Sequence, residues 1–417
     1  MPELSHFARH LQVETAFDVL AVAQRLKARG KDVIELHIGD SPFPSTAHAK
    51  QAAIRAIEDN QTHYCPSGGL PAVREAIARQ YQCEFGVAIA PDNVVVGPGA
   101  KVFEQFFCEA FLDPNDEVLV FSPHFPTYGP NIARRGARAM YAPLRAARAF
   151  RPDPNDVEQF LRTAARPKAI FLNSPHNPTG GVMTAEDVSA IVELVRGRGI
   201  ALFSDEPYCH MVWQGRHWSP VQWEGMLEQT VAAYTLSKSY SMSGWRIGYA
   251  VTGAAIAEAL VKMINTSLSC TPPFVQLAAQ AALEKDAAER DRHMEHFRRK
   301  VHLLVAALEQ LADVQVVPPA GTFYVFPDVS VICRRLGITS HGLAMYLLEA
   351  ADERRGVACL GGECFGPAGS GYLRLSCAEP DERLVEAVHF LAEAVTRTDP
   401  VRRYLDEHPR YRLTVRD

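Results

Sequence analysis

Thr235-Leu236-Ser237-Lys238-Ser239-Tyr240-Ser241-Met242-Ser243-Gly244-Trp245-Arg246-Ile247-Gly248-Tyr249 is the stretch around which the rest of the chain is organised. It follows an apolar run, Val231-Ala232-Ala233-Tyr234, that reads as a buried strand. Lys238 then stands among small hydroxylated residues, and Arg246 sits behind a Gly-Trp pair. A lysine held this way can be a nucleophilic amine toward an aldehyde, with hydroxyls and an arginine placed to hold a nearby phosphate. Those are the needs of pyridoxal 5'-phosphate, whose aldehyde forms a Schiff base with a lysine. The plainer alternative is a serine-rich loop with a solvated lysine, and the neighbouring sequence has to decide between them.

Outward from this stretch, residues 93 to about 253 alternate short apolar runs with amphipathic helical patterns, the signature of an α/β sheet. The runs are Val94–Val96, Val118–Phe121, Ala169–Leu172, Ala201–Phe203, Val231–Tyr234 and Gly248–Val251. Each of the first five is followed by groups suited to a ligand. They are Gly97-Pro98-Gly99-Ala100-Lys101, then Ser122-Pro123-His124-Phe125, then Asn173 with Asn177-Pro178-Thr179-Gly180, then Asp205-Glu206-Pro207-Tyr208, and finally Lys238. Ligands of open α/β sheets bind beyond the carboxyl ends of the strands, so this recurrence is hard to explain as structural coincidence.

The flanks differ in character. Residues 1–30 carry a helical pattern with Phe17, Leu20, Val22 and Leu26 apolar, stopped by Gly30. Val33–Ile38 is strand-like and runs into the turn cluster Gly39-Asp40-Ser41-Pro42, where a glycine lets its backbone approach a ligand or simply makes a turn. Helices are expected around 49–60 and over 72–82, the latter opened by Pro71 behind Gly68-Gly69. Tyr64, before that loop, is either an anion donor or ordinary packing. Toward the C-terminus, 256–264 reads as a helix. Met294, Phe297, Val301, Leu304, Val305, Leu308 and Leu311 fall on one face of a long helix. Val314–Val317, Phe323–Phe326 and Tyr372–Leu375 read as strands, Gly361-Gly362 as a loop, and Asp381–Val395 as a helix. Residues 398–417 are charged and are expected to be loosely attached.

Composition narrows the function classes. With 417 residues the chain can bury one large core and a smaller one beside it. A net charge of -5, with both signs interspersed and no basic stripe, argues against a nucleic-acid partner. Nine scattered cysteines, odd in number and without a C-x-x-C, suit reduced thiols better than disulfides or a metal site. There is no apolar leader region and no apolar run of membrane-spanning length, so no membrane partner and a cytoplasmic location are expected.

Six motifs, in this order and spacing, make the chain resemble the class I/II aminotransferase family of fold-type I pyridoxal-phosphate enzymes, and aspartate aminotransferases in particular. They are H-Y-x3-G-G-L from His63, G-P-G-A-K from Gly97, N-S-P-H-N-P-T-G from Asn173, S-D-E-P-Y from Ser204, S-K-x5-G-W-R-x-G-Y from Ser237, and Y-L-R-L-S from Tyr372. The resemblance implies an α/β fold: a large cofactor domain with a mostly parallel sheet, and a smaller α+β domain. The expected organisation is an N-terminal segment 1–44 joining the small domain, a large domain 45–284, a small domain 285–397, and a tail 398–417.

The resemblance also implies roles. Lys238 would carry the cofactor and act as acid and base at the substrate Cα. Asp205 would pair with the pyridinium nitrogen, and Tyr208 and Asn177 would hydrogen-bond the 3'-oxygen. Gly99, Ala100 and Lys101 would bring backbone N–H groups at a helix start to the phosphate, joined by Thr235, Ser237 and Arg246. Phe125 would stack on the ring. Tyr64 would reach the phosphate of a neighbouring subunit, because the family builds its sites across a homodimer interface. Arg374 would bind the substrate α-carboxylate, helped by Asn177 and the N–H of Gly39, although an arginine between apolar strand residues can also be an exposed edge charge.

Two departures touch the substrate side: Gly39-Asp40-Ser41-Pro42 replaces the family's Gly-Glu-Pro or Gly-Gln-Pro, and Phe125 stands where tryptophan is common. Lys101 is a cation at the first turn of a helix, which the macrodipole disfavours, so something should compensate it. Either it leans on the cofactor phosphate or a nearby carboxylate, or it meets the distal carboxylate of a dicarboxylic substrate (aspartate, glutamate or 2-oxoglutarate), as in some aspartate and prephenate aminotransferases of the family. The arginine used elsewhere for that purpose has no evident counterpart in residues 265–274. The same motifs serve lyases, cyclases and oxidases that share the cofactor, and these stay open as alternatives to transamination. A non-catalytic regulator would be expected to carry a DNA-binding module, for which the residues before Val33 offer neither length nor basic charge.

Overall fold

A computed structural model describes residues 2–11 and 14–413. Its strands, in chain order, are β1 (Asp32–Glu35), β2 (Val94–Gly97), β3 (Glu117–Ser122), β4 (Arg138–Pro143), β5 (Pro167–Asn173), β6 (Ala201–Asp205), β7 (Thr230–Thr235), β8 (Gly248–Val251), β9 (Tyr324–Val325), β10 (Arg355–Ala358), β11 (Leu360–Gly361) and β12 (Leu373–Ser376).

Seven of these form one sheet in the order β2-β8-β7-β6-β5-β3-β4. Neighbours pair in parallel except at β8, which runs antiparallel to both β2 and β7. The inner parallel strands are apolar along most of their length because both faces are covered. On one face Phe103, Phe106 and Phe107 of the helix Lys101–Phe111 meet Phe171 and Phe203, with Leu260 and Ile264 of the helix Ala254–Leu268 alongside. On the other, Val73, Ile77 and Tyr81 of the helix Pro71–Phe85 pack on Val94, Val96 and Tyr234. All six apolar runs singled out in the sequence are strands of this sheet. β4 carries no such run: it is one of the two edge strands, with Ala142 buried and Arg138, Met140 and Tyr141 exposed, so little of it is covered and no continuous apolar signature is needed.

The remaining strands build smaller sheets. β1 pairs in parallel with β10, Val33 opposite Gly356 and Glu35 opposite Ala358, which brings the N-terminal segment onto the C-terminal third of the chain. β11, β12 and β9 form an antiparallel sheet in that order. The helix Ala287–Leu308 buries Met294, Phe297, Val301, Leu304, Val305 and Leu308, the face its spacing predicted, and ends before Leu311.

Four expectations are corrected. In the helix Thr15–Ala28 the fully buried residues are Val19 and Ala23, whereas Phe17 is 60% exposed. Residues 314–317 form no strand, only an isolated bridge from Gln315 to Asp328, because Pro318 and Pro319 supply no N–H to continue a ladder. Gly361 belongs to β11 rather than to a loop, and a Cβ there would lie 2.2 Å from the Cα of His341. Finally, residues 398–413 are packed. The helix Thr398–Glu407 buries Val401, Tyr404 and Leu405, Tyr404 donates to Glu349 Oε2 at 2.7 Å, and Leu413 N donates to the Gly337 carbonyl at 2.9 Å. The apolar stripe at i, i+3, i+4 was hidden by the charges around it. Residues 414–417 lie outside the described part.

Candidate active site

The carboxyl ends of β2, β3, β5, β6 and β7 open on one cavity of about 480 Å³, closed from the other side by the loop after β1 and by β9 and β12. Lys238, three residues beyond β7, enters it and donates from Nζ to the Gly39 carbonyl at 2.6 Å. That contact joins the large sheet to the N-terminal segment across the cavity.

Asp205 is the last residue of β6 and is buried at the cavity wall. Its Oδ2 accepts from Tyr128 OH at 2.6 Å, and no cationic side chain pairs with it among the described residues. Burial pushes its carboxyl up to about 6, against the opposing pull of the Tyr128 hydrogen bond. Asn173 Nδ2 donates to the Asp205 main-chain carbonyl at 2.8 Å, and Asn173 Oδ1 accepts from the Asn177 N–H at 2.9 Å. The loop after β5 is thereby fastened to the end of β6. Tyr208 shares a 3.0 Å hydrogen bond with Tyr324 OH, and burial holds its phenol well above its ordinary pKa.

Arg374 lies in the middle of β12 and is 4% exposed, so it is not an edge charge. Nη1 donates to Asn177 Oδ1 at 3.1 Å and Nη2 to the His37 carbonyl at 2.5 Å. Its guanidinium sits over the rings of Tyr324, 4.4 Å away, and Phe365, 5.0 Å away. Among the described residues it meets no carboxylate. A buried cation without an anion is costly, so this arrangement can receive an acid.

At the opposite end, the turn after β2 delivers Ala100 to the start of the helix Lys101–Phe111. Gly99 has φ +89°, and a Cβ there would come within 2.8 Å of Arg246 Nη2. Arg246 is anchored to the carbonyls of Ser243, at 2.7 Å, and Pro98, at 3.3 Å. Thr235 and Ser237 present hydroxyls 2.8 Å apart. Helix N–H groups, two hydroxyls and a guanidinium thus converge as a receptor for an oxyanion. Phe125 forms part of the wall.

Two sequence candidates stand apart. Tyr64 does not line the cavity and is 89% exposed. Lys101 does line it, but its ammonium is paired with Glu14 and lies 5.1 Å from the centroid of the Phe125 ring. Of the two compensations considered for Lys101, a nearby carboxylate is the one seen.

Several residues of the site were not legible in advance: Tyr324, Glu14, Phe17 and Glu104 line the cavity, and Tyr128 meets Asp205 behind its wall. Tyr324 lay inside a run read only as strand, and Tyr128 carried no motif. Glu104 accepts from Thr127 Oγ1 at 2.8 Å and Asn131 Nδ2 at 2.6 Å, and burial pushes its carboxyl up to about 8.

Comparison with known proteins agrees with this architecture. A family model described as aminotransferase class I and II matches residues 31–391. The chain is 36% identical over 392 residues to a protein of Aquifex aeolicus named probable aspartate/prephenate aminotransferase, covering 93% of this chain and 97% of that protein. It is 33% identical over 377 residues to a protein of Pseudomonas aeruginosa named arginine–pyruvate transaminase, covering 90% and 93%. Among solved structures, that of aspartate aminotransferase from Thermus thermophilus with maleate matches with a TM-score of 0.87 at 32% identity, covering 94% of this chain and 100% of that one.

Proposed function

The chain belongs to the aminotransferase class I and II family and is a pyridoxal-phosphate-dependent transaminase; from that premise we propose that one of its two partners is a dicarboxylate, such as aspartate, glutamate or 2-oxoglutarate. The observation that carries the assignment of roles is one cavity holding Lys238, the buried and unpaired carboxylate of Asp205, and the buried guanidinium of Arg374.

The residues present fit the cofactor. Asp205, without a cation of its own, suits a protonated ring nitrogen. Thr235, Ser237, Arg246 and the helix start at Ala100 and Lys101 suit a phosphate dianion. Phe125 offers a ring face, and Tyr208 and Asn177 offer hydrogen bonds to the 3'-oxygen. When bound, pyridoxal phosphate supplies an electron sink that lets the Cα–H bond of an amino acid break. Arg374, with Asn177 and the Gly39 N–H, holds the α-carboxylate and so orients that bond. Lys238 would take the proton from the substrate Cα as base and give it up as acid at the other end of the proton shift that transamination requires. Lys101, the cavity cation not engaged by cofactor or α-carboxylate, receives the distal carboxylate.

The exposure of Tyr64 supports a homodimer in which it serves the phosphate of the neighbouring subunit. A fully active monomer in light scattering overturns that assignment. Nine free thiols support a reducing, cytoplasmic location, and no helix among the described residues is long and apolar enough to cross a membrane. The two groups of sheets support a large domain over 45–284 and a small one over 285–397, with residues 1–44 joined to the small one through β1.

The test is a half-reaction. Holo-enzyme is mixed with single amino acids and no acceptor, and the 2-oxo acid released is measured. Aspartate or glutamate should yield about one equivalent per site. Release of ammonia or of a side-chain fragment instead would move the enzyme to the lyase reading.

A further inference from the structure

The side-chain end of the cavity holds a charge pair of which transamination as outlined above uses only the lysine. Lys238, Arg246 and Arg374 are assigned to proton transfer, phosphate and α-carboxylate, which leaves Lys101 to face the substrate side chain. Lys101 is already paired with Glu14, whose side chain is 15% exposed against 46% for the lysine. Glu14 is the N-cap of the helix Thr15–Ala28, a position where a side-chain oxygen normally accepts from its own helix, yet it makes no such bond. Its carboxylate is turned across the cavity to a residue of the large sheet's helix layer instead. Phe17 and Ile38 also line the cavity and give it apolar surface.

We propose that Glu14 is a specificity-determining residue: a tethered stand-in for the distal carboxylate of the substrate. It neutralises Lys101 while an uncharged side chain occupies the cavity, and it yields Lys101 when a dicarboxylate binds. The proposal rests on the assignment of Lys101 to the dicarboxylate. The physical reason is that a ping-pong transaminase receives two different side chains in turn at one site. With an uncharged side chain bound, Lys101 at the positive end of its helix would lack a counter-ion. With a dicarboxylate bound, the substrate supplies one, and Glu14 becomes a competitor that weakens binding.

The experiment compares kcat/KM for 2-oxoglutarate and for pyruvate, with one amino donor, in wild type, Glu14→Gln, Lys101→Gln and the double variant. Glu14→Gln should raise the 2-oxoglutarate-to-pyruvate ratio about fivefold, the scale of a partly exposed ion pair, through a lower KM for 2-oxoglutarate. Lys101→Gln should lower the ratio, and adding Glu14→Gln to it should change nothing further, because the competitor has lost its target. An unchanged or reduced ratio in Glu14→Gln, with the ratio lowered in Lys101→Gln, overturns the proposal alone. The same rise in both backgrounds also overturns it, since Glu14 would then act through net charge. An unchanged ratio in Lys101→Gln overturns the dicarboxylate assignment of Lys101 and the proposal with it.

Discussion

Replacing Arg374 by lysine keeps the charge and removes the planar fork. A guanidinium carries five N–H donors, and Arg374 spends one on Asn177 and one on His37. The remaining donors on Nη1 and Nη2 can hold a carboxylate by two charge-assisted bonds, each of about 1.5–3 kcal/mol. Lysine can retain one of them, so Arg374→Lys should lower kcat/KM for an α-amino acid by about 1.5–3 kcal/mol, roughly 10- to 150-fold. The assay sets each amino acid against the amine that lacks its α-carboxylate. Wild type should prefer the amino acid strongly, and the variant should lose most of that preference while its slow turnover of the amine stays within a few-fold. Thermal unfolding of the holo-protein controls for damage to β12. An equal loss for amino acid and amine would refute the reasoning, because Arg374 would then support the fold or the cofactor and not the α-carboxylate.

Lys238→Ala should abolish the visible absorbance band of the holo-protein, and borohydride reduction of wild type should attach the cofactor to the peptide containing Lys238; attachment to another lysine in the mass spectrum would reject that assignment. Asp205 gives a pH signature in the apo-protein: burial raises its folded pKa to about 6, above the ordinary aspartate value of 3.8, so the folded state binds the proton more tightly. The contribution is fully present below 3.8 and is lost as pH rises through 6, amounting to about 3 kcal/mol. Asp205→Asn should flatten that fall in urea titrations of apo-protein between the two pH values, and a slope identical to wild type would show that Asp205 is not its source. Leu405→Ala should cost about 2–3 kcal/mol in equilibrium unfolding because Leu405 is on the buried face of the C-terminal helix, whereas a loosely attached tail would show no change.

How far the chain can be read without its fold follows from where each signal resides. The sheet was legible because strands buried on both faces must be apolar throughout, and that demand is written locally in Val94–Val96 or Ala201–Phe203. Lys238, Asp205, Asn177 and the helix start at Ala100 were legible because each follows such a strand directly, and strand ends face one edge of a parallel sheet. Arg374 needed the family resemblance, since its burial comes from packing and not from its neighbours in sequence.

What the tertiary structure alone decided are contacts between residues far apart in the chain. Tyr128 meets Asp205 across 77 positions, Lys101 meets Glu14 across 87, and Tyr208 meets Tyr324 across 116. No periodicity or spacing carries such pairings, because they depend on how separate elements pack. The same holds for Phe17, an apolar residue on an amphipathic helix that faces the cavity instead of the core, and for residues 398–413, whose few buried side chains are outnumbered by charges. Local sequence determined which backbone forms and which strand ends carry chemistry. Packing determined which side chains those ends meet, and therefore which charges line the cavity.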